Sequence, residues 1–206
     1  MLPPWCERCG QPEPLFGRCR ICDGWPAALR RARSAVWLDP GARHAVHALK
    51  YDGLPRIAAD LAPELARLDI PARGDGFLVP IPLGPERLAI RGYNQSEHLA
   101  RALSRYWRRP VVALLERTRD TATQTTLTPA ARLANVAGAF KIRNAEGGTR
   151  NGARVPRSAL SRPLILVDDV FTTGATLAAA AHALQEAGAV SVAAVTFGRA
   201  IIPTFT

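Results

Sequence analysis

Apolar and polar positions along the chain fall into two alternating patterns. Short apolar runs at Ser34–Leu38, Phe77–Pro82, Val111–Leu115, Ala139–Arg143 and Val190–Phe197 read as strands. Between them apolar residues recur at helical spacing. One helix is expected from Gly41 to Tyr51, stopped by Asp52-Gly53, and a second from Pro55 to about Leu68 with a kink or restart at Pro63. Asn94-Gln-Ser-Glu97 reads as a capping box opening a helix to about Trp107, with Leu99, Leu103 and Tyr106 on one face. Thr128-Pro129 opens a short helix to about Val136, and Ala175 to Ala187 is a helix closed by Gly188. Pro26 to Arg33 reads as a basic connector, Leu83 to Gly92 as a stiff loop, and the glycine-rich stretch Asn144 to Arg162 as a longer one. Strands alternating with helices predict an α/β fold with a mostly parallel sheet flanked by helices.

One run breaks the usual strand pattern. Leu164-Ile-Leu-Val has no polar alternation, so it is expected to be buried on both faces, as central parallel strands are. It ends in Asp168 and Asp169, then a hydroxyl-rich loop with one glycine, then the Ala-rich helix. In parallel sheets, ligands collect at the carboxyl ends of the strands. Two adjacent carboxylates there can accept hydrogen bonds from neighbouring ribose hydroxyls. The loop Phe171, Thr172, Thr173, Gly174, Ala175, Thr176 can wrap a phosphate at the positive end of a helix. The same residues also have a plain structural use: Asp168 or Asp169 can cap the turn, and Thr172 and Thr173 the helix. The glycine-lysine pair of a Walker loop and the glycine triplet of a dinucleotide fold are both missing.

Composition narrows the class. The 206 residues are 48% apolar, enough for one core and a small appendage, and no apolar run approaches the length of a membrane span. The N-terminus has no long apolar stretch of a secretory signal, so a cytoplasmic protein is expected. The net charge of +10 rests almost wholly on arginine, Lys50 and Lys141 being the only lysines. A basic surface of this kind suits an anionic partner, a substrate phosphate or a nucleic acid, and equally a genome that prefers arginine. Arg87 and Arg91, just past the strand ending in Pro80 and Pro82, suit bidentate phosphate contacts, or are simply solvated.

All four cysteines lie at the N-terminus as Cys6-x2-Cys9 and Cys19-x2-Cys22. Two such pairs are two zinc knuckles, closing a tetrahedral four-thiolate site that is structural, without an open position. The ribbon is expected over residues 1–30 and the main domain over 34–206. The ribbon could pack on that domain, bind nucleic acid or dock another protein. His44 and His47, three apart on one helix, lack further ligands nearby in sequence, and His182 reads as a surface residue.

The run Ile165-Leu-Val-Asp-Asp-Val-Phe-Thr-Thr-Gly174 resembles the phosphoribosyl pyrophosphate (PRPP) motif of type I phosphoribosyltransferases. With the four-Cys ribbon, Leu49-Lys-Tyr-Asp-Gly53, Val79-Pro-Ile-Pro-Leu83, Arg87, Arg91-Gly-Tyr-Asn-Gln95 and Thr121-x2-Gln124-x2-Leu127-x4-Arg132-x2-Asn135, the whole chain is similar to the ComF family of competence-associated, amidophosphoribosyltransferase-like proteins. The resemblance implies a Rossmann-like core that binds PRPP with Mg²⁺. By the same analogy Leu83, Gly84 and Arg87 form a pyrophosphate loop, with Arg91 beside it, and Lys50 lies near the diphosphate. Arg117, Gln124, Arg132 and Asn135 then belong to a flexible hood. Gly84 departs from the histidine often found there, and the loop 144–162 is longer than the family pattern.

The implied reaction is attack of an acceptor on the ribose anomeric carbon with loss of pyrophosphate. Mg²⁺, Lys50 and Arg87, joined by Arg91 or Arg117, neutralise the leaving group. No residue stands out as a general base and no acceptor pocket is recognisable. The rival reading is a PRPP or nucleotide sensor or adaptor without turnover, working with single-stranded DNA or a DNA-uptake helicase.

Overall fold

A computed structural model describes residues 5–12, 19–70, 74–118, 138–143 and 159–200. The strands are β1 (Leu29–Trp37), β2 (Phe77–Pro80), β3 (Leu115–Arg117), β4 (Phe140–Ile142), β5 (Leu164–Phe171) and β6 (Val192–Arg199). The helices are α1 (Pro40–Tyr51), α2 (Ile57–Ala66), α3 (Pro85–Arg91), α4 (Gln95–Trp107) and α5 (Ala175–Glu186). Four parallel strands form the main sheet in the order β1-β6-β5-β2, while β3 and β4 pair antiparallel. The expected α/β architecture is therefore present.

The unalternating sequence of β5 has the predicted cause. Leu164 and Leu166 face one core, shared with α5, the β3–β4 pair and the N-terminal cysteines. Ile165 and Val167 face the other, shared with α1, α2 and α4. A strand walled by helices on both sides needs apolar residues at every position. β6 does the same with Val192 and Ala194 against Ala193 and Val195. Because all four strands run one way, their carboxyl ends gather at one end of the sheet, where Asp168 and Asp169 sit.

Several local expectations are corrected. Pro26 to Arg33 is not a connector, because β1 already begins at Leu29. Leu83 to Gly92 is not a stiff loop: Pro85 starts α3, and Gly92 ends it at φ 79°, a left-handed turn that glycine makes without strain. Pro63 lies inside α2, which continues through it. The capping box is half made. Asn94 accepts from Ser96 N at 3.1 Å, but Glu97 turns outward to Arg101 at 2.6 Å. Tyr106 is exposed, and Trp107 takes the core position, its indole N–H donating to Ala66 O at 3.1 Å. The expected strand at Val111–Leu115 is a single parallel bridge from Val111 to Leu78, followed by β3. The helix expected at Thr128–Val136 lies outside the described residues.

Candidate functional site

The carboxylates of β5 are held by two other elements and by the strand's own backbone. Asp168 Oδ1 accepts from Ser96 Oγ at 2.8 Å and from Asp169 N at 2.9 Å. Ser96 is fully buried near the start of α4, so Asn94, which caps that helix, also fixes the hydroxyl beneath Asp168. Asn94 Nδ2 in turn donates to Ile81 O at 2.9 Å, tying α4 to the end of β2. Lys50 Nζ, from the last turn of α1, lies 2.6 Å from Asp169 Oδ2. This ion pair occupies one lone pair of Asp169 Oδ2 and leaves the carboxylate further acceptor capacity. Tyr93 Oη donates to Leu49 O at 2.7 Å and pins the backbone next to Lys50.

The electrostatics follow from this packing. Burial raises the Asp168 carboxyl to about 7, and the Asp169 charge pushes the same way against the Ser96 hydrogen bond and Lys50. Burial acts to lower Lys50, but the two carboxylates overcome it and hold the ammonium above its ordinary value. The pair therefore keeps a charged lysine against Asp169, beside a carboxyl that titrates near neutrality.

These groups open onto one cavity of about 780 Å³. Lys50, Leu83, Arg87, Arg91, Arg117, Asp168, Asp169, Thr172 and Thr176 all line it. Three expected strand ends thus converge, those at Pro82, Arg117 and Asp169. Arg91 is oriented by a hydrogen bond to Gln95 and lies 5.2 Å from the centre of the Tyr51 ring. Gly84 is the N-cap of α3. Gln124, Arg132 and Asn135 are outside the described residues.

The loop after β5 leaves the start of a helix open. Gly174 is the N-cap of α5 at φ 75°, and no side chain caps the helix. The first-turn N–H groups have no intrahelical acceptor, and the helix dipole adds positive potential there. Capping by Thr172 or Thr173 is thus not the use these residues have. Phe171 is buried under the loop, so any part it plays in holding a ligand falls to its backbone. Thr173 and Ala175 belong to the same turn.

The second cluster is the cysteine set. Cys6, Cys9, Cys19 and Cys22 bring their sulfurs within 4.8 Å of one another, with Cys6–Cys22 and Cys9–Cys19 each at 3.5 Å. A tetrahedron of about 2.3 Å metal–sulfur bonds has edges of about 3.8 Å, so the four sulfurs could hold one zinc ion. Burial pushes the Cys9 thiol up to about 12 and also raises Cys22, while amide hydrogen bonds at Ile21 and Cys22 hold Cys19 below its ordinary value despite burial. His44 and His47 belong to no such cluster among the described residues; His47 is exposed and pairs with Asp52 at 3.5 Å. His182, also exposed, pairs with Glu186.

Local periodicity missed Ser96, Tyr93 and Asn94 as parts of the site. The available signal was Gln95 and Ser96, polar residues on the buried side of an amphipathic helix.

No protein-family model matches the chain. It is 30% identical over 203 residues to the competence protein ComFC of Bacillus subtilis (strain 168), covering 94% of this chain and 77% of that protein. It is 31% identical over 199 residues to the DNA utilization protein YhgH of Escherichia coli (strain K12), covering 91% and 80% respectively. A ComFC of Streptococcus pneumoniae is 31% identical over 198 residues, covering 91% of this chain and 77% of the relative. Among the described residues no helix is long and apolar enough to cross a membrane.

Proposed function

Because the chain belongs to the family of the competence protein ComFC and the DNA utilization protein YhgH, we propose that it serves DNA uptake in the cytoplasm by binding PRPP with Mg²⁺ and transferring the phosphoribosyl group with release of pyrophosphate. One observation carries this reading. Two buried adjacent carboxylates, an uncapped helix start and the cations Lys50, Arg87, Arg91 and Arg117 all border one cavity.

Each group has a use in that chemistry. Asp168 and Asp169 accept hydrogen bonds from the ribose hydroxyls. The first turn of α5, with Thr172 and Thr176, receives the phosphate. Lys50 and the arginines face the diphosphate and balance the charge that grows as its bond to the anomeric carbon breaks. The acceptor supplies the electron pair of the new bond, and pyrophosphate departs with the pair of the old one. The lone pairs that Asp169 keeps beyond its ion pair with Lys50, and the all-oxygen character of the carboxylate pair, suit Mg²⁺, which would add further neutralisation of the leaving group. Positioning and charge do most of this work.

The test is pyrophosphate release from Mg–PRPP against a panel of bases and amines. Turnover is expected, and Lys50→Met should lower it by about 100-fold or more, as loss of a charge-stabilising donor does. A second reading is a non-catalytic PRPP- or nucleotide-binding adaptor for single-stranded DNA or a DNA-uptake helicase. The net charge of +10 and relatives named for competence and DNA use favour it. Tight PRPP binding without release across the panel selects that reading.

The titration of Asp168 makes a further prediction. Its carboxylate is the form that accepts from ribose, so affinity should rise with pH and level off above about 7. Below that, affinity should fall by up to about tenfold per pH unit. Calorimetry of wild type against Asp168→Asn separates this step from the titration of the ligand's own phosphates. Equal pH profiles in the two proteins would exclude it.

A further inference from the structure

The floor of the phosphate loop comes from the N-terminal ribbon. A Cβ placed on Gly174 would lie 2.7 Å from Trp25 Cζ2 and 2.9 Å from Phe171 Cζ, so the backbone rests directly on two aromatic rings. Trp25 and Phe171 are both buried, with ring centres 6.0 Å apart. Trp25 follows the second cysteine knuckle, and its backbone N–H donates to Cys22 O at 3.2 Å. Arg8, within the first knuckle, clamps that turn by donating to Cys22 O, Trp25 O and Pro26 O.

A second route runs from the other pair. The Arg199 guanidinium lies 4.2 Å from the centre of the Phe171 ring. Its Nη1 donates to Cys9 O at 2.7 Å and its Nη2 to Gln11 Oε1 at 2.8 Å. Arg199 is buried, and among the described residues its acceptors are neutral. Four thiolates around one Zn²⁺ carry net negative charge, which would balance this buried cation; neutral thiols would not. Both knuckles therefore reach the loop through an aromatic ring, and both contacts need the ribbon closed.

We infer that Trp25 and Arg199 are positioning residues through which the zinc ribbon sets the shape of the loop Phe171–Thr176, so that the loop's affinity for a ligand phosphate follows metal occupancy. The ligand's identity rests on the PRPP reading; the coupling does not.

Hydrogen exchange on the full chain without ligand tests the coupling. Removing zinc with a chelator, or Trp25→Ala, should speed exchange of the amides at 171–176 by about tenfold or more while β5 and β6 stay protected. Trp25→Phe should restore most of the protection, because a ring again supports Gly174. Arg199→Met should loosen the loop in the same direction. Where Trp25→Ala opens the whole sheet, Trp25→Leu carries the same comparison. Unchanged loop exchange in the metal-free and substituted proteins overturns the inference. In parallel, Mg–PRPP affinity by calorimetry should fall by about tenfold or more in the same proteins. Wild-type protein that binds no PRPP sinks the donor assignment, while the exchange data still decide the coupling.

Discussion

Asp168→Asn combined with Asp169→Asn weakens Mg–PRPP binding by about 100-fold or more, reading each lost hydrogen bond to a charged acceptor as about 1.5–3 kcal/mol. Calorimetry on the double variant measures this, and unchanged affinity refutes the role given to the carboxylates. Stability must be followed alongside, because the two positions differ. Asp169 is the partner of Lys50, and its loss strands a mostly buried ammonium at a cost of about 3–5 kcal/mol. Asp168 works the other way. Its folded-state value is raised, so the native protein holds that proton more tightly than the unfolded chain does. Stability from this group is present at low pH and is lost as pH rises toward about 7. Asp168→Asn alone should therefore melt no lower than wild type above that pH, yet bind ligand poorly. A buried acid that costs stability and is needed for binding has the signature of a functional residue.

Chelation of the metal produces the second large effect. The anaerobically purified protein should contain one zinc per chain. Its removal should unfold the segments at residues 5–12 and 19–28, since a structural zinc supplies about 10–16 kcal/mol of folding free energy. Burial keeps Cys9 and Cys22 protonated without metal, so loading must expel protons and zinc affinity should rise with pH. Elemental analysis and circular dichroism check both parts. A metal-free protein with the ribbon intact would overturn the assignment.

Much of this arrangement was legible in the sequence, for reasons that differ by element. β5 and α5 carry their own signals: an unbroken apolar run, two acids, a glycine at the turn and a helix of small residues. The Cys-x2-Cys pairs likewise encode their geometry locally, since two thiolates on one tight turn need no distant help. α3 was missed because it buries nothing, so its seven residues show no apolar face for periodicity to detect. Trp107 replaced Tyr106 because the core needed a ring whose N–H could reach Ala66, a partner 41 residues away. Ser96 beneath Asp168 and Trp25 beneath Gly174 were illegible for the same reason. Each is an ordinary residue in its own segment and becomes part of the site only through a contact made across the fold.

The backbone bond from Ala32 N to Arg8 O has a consequence for solubility. β1 is an outer strand of the main sheet, with β6 on one side and the cysteine segment lying against the other. Arg8 Nε also reaches Leu29 O, and Arg33 reaches Glu7 O, so the segment covers amide and carbonyl groups that would otherwise invite another chain to add a strand. Arg30, Arg31 and Arg33 along β1 put like charges on that border, a second deterrent to pairing between copies. Loss of the metal thus uncovers a sheet border as well as loosening a loop, and the resulting self-association should be salt-dependent, appearing as added salt screens those arginines.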